Sequence, residues 1–107
     1  MVDEVTPDDV KKKLDDDSVQ VVDIRQPRQF QRGHIPGALN IPMNELPSQV
    51  EEVDWEDEVV VTCPIGQSSV QAAKLIQSFE DVDDGTAIAS MAGGYQDWEY
   101  ELETASD

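Results

Sequence analysis

Short apolar runs alternate with amphipathic stretches along this chain, and the alternation predicts strands and helices in turn. The clearest helix spans Gln67 to Phe79, because apolar side chains recur at i, i+3, i+4 and i+7 from Ala72 onward. A second helix is predicted after Thr6, a capping residue followed by proline, with Val10 and Leu14 on its inner face. Apolar runs predict strands at 19–24, 38–41, 59–62 and 86–90.

The segments between these elements have the composition of turns and short helices. We expect helical turns at 27–32 closed by Gly33, a turn at 33–37, a short helix at 43–50 interrupted by Pro47, an acidic connection at 50–57 anchored by Val53 and Trp55, and an acidic turn at 80–85. The pair Gly93-Gly94 predicts a flexible hinge. A last helix carrying Tyr95, Trp98 and Leu102 should follow it, and the tail from Glu103 should fray.

Strands that alternate with helices, without a hairpin signal between apolar runs, predict an α/β domain with a mostly parallel sheet. The length of 107 residues fits a single domain spanning 1–107. Ligand sites in such sheets form at the carboxyl ends of the strands. Cys63, Asp23 and the segment 90–94 lie at or near the ends of predicted strands, so they could converge on one crevice.

The chain is strongly acidic, with a net charge of −17. Residues 1–32 hold eight acidic and six basic residues, whereas residues 33–107 hold sixteen acidic residues and one basic residue, Lys74. This balance argues against nucleic-acid or anionic-membrane partners. We interpret it as adaptation to high salt, since screening at high ionic strength relieves the self-repulsion. An ordinary acidic domain with a basic partner is the alternative.

No apolar run is long enough for a membrane helix or the core of a signal peptide, and the first residues are acidic. We therefore expect a cytoplasmic protein, in which a single cysteine stays reduced. One cysteine also argues against an internal disulfide framework and a cysteine-rich metal site. We expect no metal and no cofactor.

Cys63 is the candidate nucleophile, because a predicted strand delivers it into a tight loop that opens a helix. An unperturbed thiol is mostly protonated at neutral pH, so a nucleophile needs groups that favour the thiolate. The loop has no basic side chain, and Pro64 has no amide hydrogen. The donors left are the amides of Ile65, Gly66, Gln67, Ser68 and Ser69, the two serine hydroxyls and the helix dipole. The alternative is a buried structural cysteine.

Spacing separates three kinds of cysteine chemistry. A cysteine phosphatase needs an arginine six residues after the nucleophile, where this chain has Ser69. A dithiol redox enzyme needs a second cysteine, which is missing. A thiolate that accepts one sulfur atom and passes it on as a persulfide needs neither.

Three segments of the sequence resemble the signatures of single-domain rhodaneses. The first holds Asp23-Ile-Arg, then Gln-Pro-Arg-Gln-Phe, then the specific run Gly-His-Ile-Pro-Gly-Ala-Leu-Asn-Ile-Pro42. The second is the loop from Cys63 to Ser69, and the third runs from Met91 to Trp98 around the Gly-Gly pair. The similarity covers about residues 4–101, in the family's order and spacing, and leaves an acidic tail at 103–107.

The resemblance implies a rhodanese-like three-layer domain, in which helices flank a mostly parallel five-stranded sheet and Cys63 accepts the sulfur. The loop length is similar to that of sulfurtransferases and one residue shorter than that of the related phosphatases. Two positions depart from the common pattern. Ser68 stands where many members have arginine, and Gln29 stands where glutamate is common.

Several other residues have a structural and a functional interpretation. His34 could be a catalytic base, but its setting favours a turn residue that satisfies buried backbone groups. Asp23 and Arg25 could support the active loop or pair with each other, and Gly93 and Gly94 should allow a close backbone approach. The remaining large side chains are interpreted as packing residues: Trp55, Trp98, Met43 and Met91.

Two functions follow from these residues. The first is a sulfurtransferase that moves a sulfane sulfur from a donor such as thiosulfate to a thiol or cyanide through a Cys63 persulfide. The second is a non-catalytic persulfide carrier or interaction module, in which Pro64, Ile65 and the acidic surface dock a protein sulfur donor or a basic partner. A protein could likewise serve as the sulfur acceptor. We expect neither nucleic acid nor membrane as a partner.

Overall fold

A five-stranded parallel sheet forms the centre of the computed structural model, which describes residues 3–16, 19–79 and 86–104. Every strand pairing described is parallel, in the spatial order β1-β5-β4-β2-β3. The α/β prediction is therefore confirmed. The strands are β1 (Asp3–Val5), β2 (Gln20–Asp23), β3 (Leu39–Asn40), β4 (Glu58–Thr62) and β5 (Ala87–Met91).

Strand β4 lies at the middle of the sheet and is its most apolar strand. Val59, Val60 and Val61 are fully buried, as expected for a strand covered on both faces. Val60 pairs in register with Val21 of β2 and with Ala89 of β5. The register places the carboxyl ends of β2, β4 and β5 side by side. This is the edge of the sheet at which the crevice was predicted.

In the described part of the chain, four α-helices connect the strands: α1 (Pro7–Asp15), α2 (Pro27–Arg32), α3 (Leu46–Gln49) and α4 (Ser68–Ser78). Thr6 caps α1 reciprocally with Asp9, and Gly33 follows α2, as the sequence predicts. The helix predicted at 43–50 begins as the 3₁₀ turn Met43–Glu45 and ends in the 3₁₀ turn Val50–Glu52. Pro47 does not interrupt it, because proline lies in the first turn of α3, where no amide hydrogen is needed.

Two apolar clusters cover the two faces of the sheet and produce three layers. One cluster joins the sheet to α3 and α4 and contains Cys63 together with Leu46, Ala73 and Ile76. Val53 and Trp55 pack against this cluster, as predicted. The other cluster joins the sheet to α1 and the segment after β5: Val10, Val21, Ile35, Val60, Met91 and Trp98. Cys63 thus belongs to the α4 side of the sheet.

The two ends of the chain differ from the sequence-based predictions. Strand β1 was not predicted, because it has only three residues and two of them are exposed acids. The predicted last helix is only the 3₁₀ turn Gly94–Asp97. Leu102 is exposed, and Glu103 does not fray but pairs with His34 through two backbone hydrogen bonds of 2.8 and 2.9 Å. The acidic turn at 80–85 and residues 105–107 lie outside the described residues.

Candidate active site

Cys63 directly follows β4 and lies at the carboxyl edge of the sheet. Its side chain is only 1% exposed, while Pro64, Ile65, Gln67 and Ser68 of the following loop are exposed. Helix α4 begins at Ser68, so the loop leads directly into the N-terminus of an eleven-residue helix. The sulfur is therefore shielded from bulk water while the loop that follows it is exposed.

Hydrogen bonds from the loop converge on the sulfur. The amide of Gly66 donates to Sγ over 3.1 Å, and the amide of Ser69 donates over 3.3 Å. The hydroxyl of Ser69 also lies 3.3 Å from Sγ. Among the described residues, Gln67 and Ser68 donate no hydrogen bond to it, although the sequence placed both among the candidate donors. Their place is the exposed rim of the loop.

These contacts lower the pKa of Cys63. Burial is the largest influence and raises the pKa, but the hydroxyl and amide of Ser69, followed by the amides of Gly66 and Ile65, outweigh it. Hydrogen bonds to the charged form favour ionisation. The thiolate is thus stabilised without a basic side chain, as the composition of the loop predicted.

Two glycines allow the loop to fold tightly over the sulfur. Gly66 has a φ of +86°, a conformation that favours glycine. Gly94 has a φ of +58°, and a Cβ added there would lie 2.1 Å from the carbonyl oxygen of Cys63. The Gly93-Gly94 pair is therefore not a flexible hinge. It is a close packing contact between the segment after β5 and the active loop.

A second hydroxyl lies behind Ser69. The Oγ of Ser90, near the end of β5, lies 2.7 Å from the Oγ of Ser69, and both residues are completely buried. Sequence analysis correctly placed Ser90 near the carboxyl end of a strand but predicted no hydrogen bond for it. A polar residue inside a buried apolar strand is the signal that could have found it.

Tyr95 joins the active loop to the neighbouring strand end. Its amide donates to the carbonyl of Cys63 over 2.9 Å, and its hydroxyl donates to Asp23 over 2.9 Å. The same hydroxyl accepts from the amide of Ile35 over 3.0 Å. Burial, together with the nearby carboxylate of Asp23, raises the pKa of Tyr95 well above its usual range, so the phenol stays protonated. Sequence reasoning missed this role and treated Tyr95 as an apolar helix residue.

Asp23 and Arg25 form the ion pair that the sequence suggested. Nη2 of Arg25 lies 2.8 Å from Oδ2 of Asp23 and also donates to the carbonyl of Gly33 over 2.6 Å. The guanidinium lies 3.7 Å from the centre of the Tyr95 ring. Asp23 is fully buried and hydrogen-bonded by Arg25 and Tyr95, so the pair supports the loop through Tyr95 and makes no contact with the sulfur.

His34 is used for structure. Its Nδ1 donates to the carbonyl of Phe30 over 2.8 Å, and its ring stacks on Phe30 with centroids 3.8 Å apart. Nε2 lies 3.3 Å from a carboxylate oxygen of Glu103. Both ring nitrogens are therefore engaged away from Cys63, which agrees with the interpretation of His34 as a turn residue.

The described residues contain no group of three or more His, Cys, Asp or Glu side chains arranged to hold a metal ion. Within the same ranges, no helix has the length and apolar character needed to cross a membrane.

Several of the known proteins that this chain resembles have names related to sulfur transfer. The family model described as a rhodanese-like domain matches residues 6–101. The thiosulfate sulfurtransferase GlpE of Shewanella oneidensis is 39% identical over 83 residues, which cover 76% of each chain. The putative sulfur carrier protein YrkF of Bacillus subtilis is 30% identical over 98 residues, and the chain spans half the length of that relative.

The fold has close matches among solved structures. The human single-domain sulfurtransferase TSTD1 superposes with a TM-score of 0.78 at 28% identity, over 92% of this chain and 96% of that one. Such agreement over nearly the full length of both chains shows that they share one fold.

Proposed function

This chain belongs to the rhodanese-like domain family, and from that premise we propose that it is a sulfurtransferase acting through a persulfide on Cys63. The thiolate attacks the outer sulfur of thiosulfate, the sulfur–sulfur bond of the donor breaks, and sulfite leaves with the electron pair. An acceptor thiolate or cyanide then attacks the terminal sulfur of the persulfide. The Cys63 thiolate is released, so no external oxidant or reductant is consumed.

The observation that carries the proposal is the convergence of hydrogen bonds on a buried sulfur that has no second thiol and no loop arginine. The donors of Gly66 and Ser69 favour the anionic form of Cys63. A thiolate of this kind can accept one sulfur atom by attack and give it up by attack of another nucleophile. Neither a resolving cysteine nor a phosphate-binding arginine is needed for that cycle.

We assign the residues of the site as follows. Cys63 is the catalytic residue, and Ile65, Gly66 and Ser69 stabilise the thiolate and the persulfide through their amides and the Ser69 hydroxyl. Gln67 and Ser68 form the exposed rim that meets the donor. The supporting residues are Asp23, Arg25, Gly93 and Gly94, which fix the position of the loop. The mechanism uses neither a metal nor a cofactor.

Turnover of thiosulfate and cyanide tests the proposal. We expect double-displacement kinetics, with a loss of at least about a thousandfold in kcat/KM for Cys63→Ser, because the nucleophile is removed. The loop has no cation and the chain carries −17, so thiosulfate should bind poorly at low ionic strength and better as salt screens the repulsion. Turnover that persists in Cys63→Ser, or that falls as salt is added, contradicts the proposal.

A second candidate is a persulfide carrier without useful small-molecule turnover. The side chain of Ile65 is 51% exposed at the mouth of the site, which gives a protein partner an apolar contact beside the sulfur. In this case the donor and the acceptor are proteins. Mass spectrometry distinguishes both candidates, the sulfurtransferase and the carrier, from a module that only binds a partner. For either candidate, incubation with a sulfane donor should add the mass of one sulfur atom to Cys63.

The adduct and the turnover together give three outcomes. A fast adduct with turnover supports the sulfurtransferase. A fast adduct that no small thiol or cyanide removes supports the carrier. The absence of an adduct with every sulfane donor tested contradicts both and leaves a module that only binds.

A further inference from the structure

Two buried hydroxyls extend from the sulfur into the sheet. Ser69 Oγ lies 3.3 Å from the Cys63 sulfur and 2.7 Å from Ser90 Oγ. Ser69 belongs to the first turn of α4, and Ser90 belongs to β5, the strand that pairs with the one before Cys63, so the two hydroxyls come from different elements. Both are completely buried. We call these three side chains the hydroxyl relay.

The partners of the relay are few. Among the described residues, the Ser90 hydroxyl forms a hydrogen bond only with Ser69, and the Ser69 hydroxyl forms hydrogen bonds only with Ser90 and Cys63. A buried hydroxyl hydrogen needs an acceptor. The Ser90 hydroxyl can therefore donate its hydrogen only to the Ser69 oxygen among the described residues.

The number of hydrogens depends on the charge of Cys63. In the thiolate form, Ser90 donates to Ser69 and Ser69 donates to the sulfur, so two hydrogens fill two hydrogen bonds. In the thiol form three hydrogens share the same two contacts, and one buried hydrogen is left without an acceptor. The relay thus fits the thiolate better than the thiol, because an unused buried donor is unfavourable.

We propose that Ser90 is a positioning residue: by donating to Ser69, it directs the Ser69 hydroxyl hydrogen at the Cys63 sulfur. Ser90 does not touch the reacting atoms. Its hydroxyl donates to one lone pair of the Ser69 oxygen and polarises the hydrogen bond that reaches the sulfur. This inference rests on the proposed function only in taking the thiolate as the reactive form of Cys63.

Charged and titratable groups approach the loop from two neighbouring segments. Asp23 and Arg25 reach it through Tyr95, and Asp97 lies against Gly93. Among the described residues, none of them forms a hydrogen bond or an ion pair with the sulfur or with either hydroxyl of the relay. A change in the ionisation of Cys63 after a change at Ser90 can therefore be attributed to the relay.

The test measures the pKa of the single cysteine in Ser90→Ala by its rate of alkylation with iodoacetamide across pH. We expect the thiol pKa to rise, so that the thiolate fraction at a fixed pH below the pKa falls about two- to fivefold. The matched control is Thr62→Val, which removes a buried strand hydroxyl next to Cys63 that has no hydrogen-bond partner in the described part of the chain. The pKa of the Cys63 thiol in Thr62→Val should equal that of the parent protein.

A double mutant separates the relay from a general structural effect. In a Ser69→Ala background the link between Ser90 and the sulfur is absent, so adding Ser90→Ala should change the thiol pKa no further. An unchanged pKa in Ser90→Ala overturns the inference, and so does an equal rise in the Ser69→Ala background. Alkylation needs no sulfur donor, so a chain that fails to turn over thiosulfate can still pass this test, and the reverse also holds.

Discussion

At the scale of single residues, the ionisation of Cys63 is decided by a balance between burial and hydrogen bonds. Burial alone would keep the sulfur protonated. The hydroxyl and amide of Ser69 and the amides of Gly66 and Ile65 reverse that tendency and lower the thiol pKa. Amides and a hydroxyl thus favour the thiolate without a basic side chain, so the ionisation of Cys63 does not depend on the protonation of a second side chain.

The lowered pKa leads to a prediction about pH. Alkylation of native Cys63 should have its midpoint at lower pH than alkylation of the same chain in urea. Since the folded pKa lies below the unfolded pKa, the thiolate adds stability that is present above the unfolded pKa and is lost as the pH falls through the folded pKa. Cys63→Ala should therefore flatten this part of the stability profile. Coincident native and unfolded midpoints would contradict the argument.

At the scale of elements, the active loop is fixed by the segment that follows β5. Tyr95 and Gln96 donate their amides to the carbonyls of Cys63 and Pro64 over 2.9 and 3.0 Å. Gly94 allows this approach, and the Tyr95 hydroxyl joins the assembly to Asp23. Three strand ends are thereby connected around one sulfur.

Gly94→Ala tests the close approach. The added Cβ would meet the carbonyl of Cys63, and its φ is unfavourable for alanine, so we expect a loss of roughly 2–5 kcal/mol in the free energy of unfolding. Gly37→Ala is the matched control, because Gly37 has a φ of +82° but no atom within 4 Å of an added Cβ. It should lose only about 1–2 kcal/mol. Equal losses in urea unfolding would show that contact at Gly94 is unimportant.

Tyr95→Phe tests the link to Asp23. Removing the hydroxyl takes a donor from a buried carboxylate and an acceptor from the amide of Ile35, so we expect a loss of roughly 2–3 kcal/mol. Tyr100→Phe makes the same chemical change at the surface, where the hydroxyl contacts Asp8, and should leave the free energy of unfolding close to that of the parent. Both values come from urea unfolding. A Tyr95 variant as stable as the Tyr100 variant would refute the link.

The sequence predicted these elements unevenly, for physical reasons. The strand before Cys63 and the helix after it follow from strong apolar periodicity, and the loop donors follow from the backbone amides that every residue except proline carries. The last helix was wrong, because Tyr95, Trp98 and Leu102 have helical spacing although tertiary contacts hold Tyr95 against Asp23 and pair Glu103 with His34. The link through Ser90 depends on a contact between distant elements, which no local pattern encodes.

At the scale of the whole molecule, acidic residues greatly outnumber basic ones. The net charge of the chain is −17, and the half-buried Arg25 is already paired with Asp23. Most of the excess lies after residue 32, in the same part of the sequence as the active loop. Self-repulsion of this size opposes compact folding at low ionic strength and weakens as salt screens it.

A salt series tests this view of the charge. We expect the thermal midpoint to rise between low salt and about 1 M, where the Debye length is about 3 Å. A gain of about 1 kcal/mol would correspond to about 4–8 °C for a chain of this size. Sucrose at matched osmolality is the control, since it does not screen charge. A thermal midpoint that does not change with salt would contradict the interpretation of the negative charge as adaptation to high salt. The alternative, an ordinary acidic domain with a basic partner, would then remain.

The tight backbone contacts around Cys63 have a consequence for the energetics of the proposed sulfur transfer. In that proposed cycle, negative charge would leave the Cys63 sulfur when the persulfide forms and return when the acceptor removes the outer sulfur atom. The amides of Gly66 and Ser69 already point at the sulfur, and Gly94 and Tyr95 hold their loop in place. The reorganisation energy that water would need for such a charge shift is therefore largely avoided, because these dipoles were oriented once, when the chain folded.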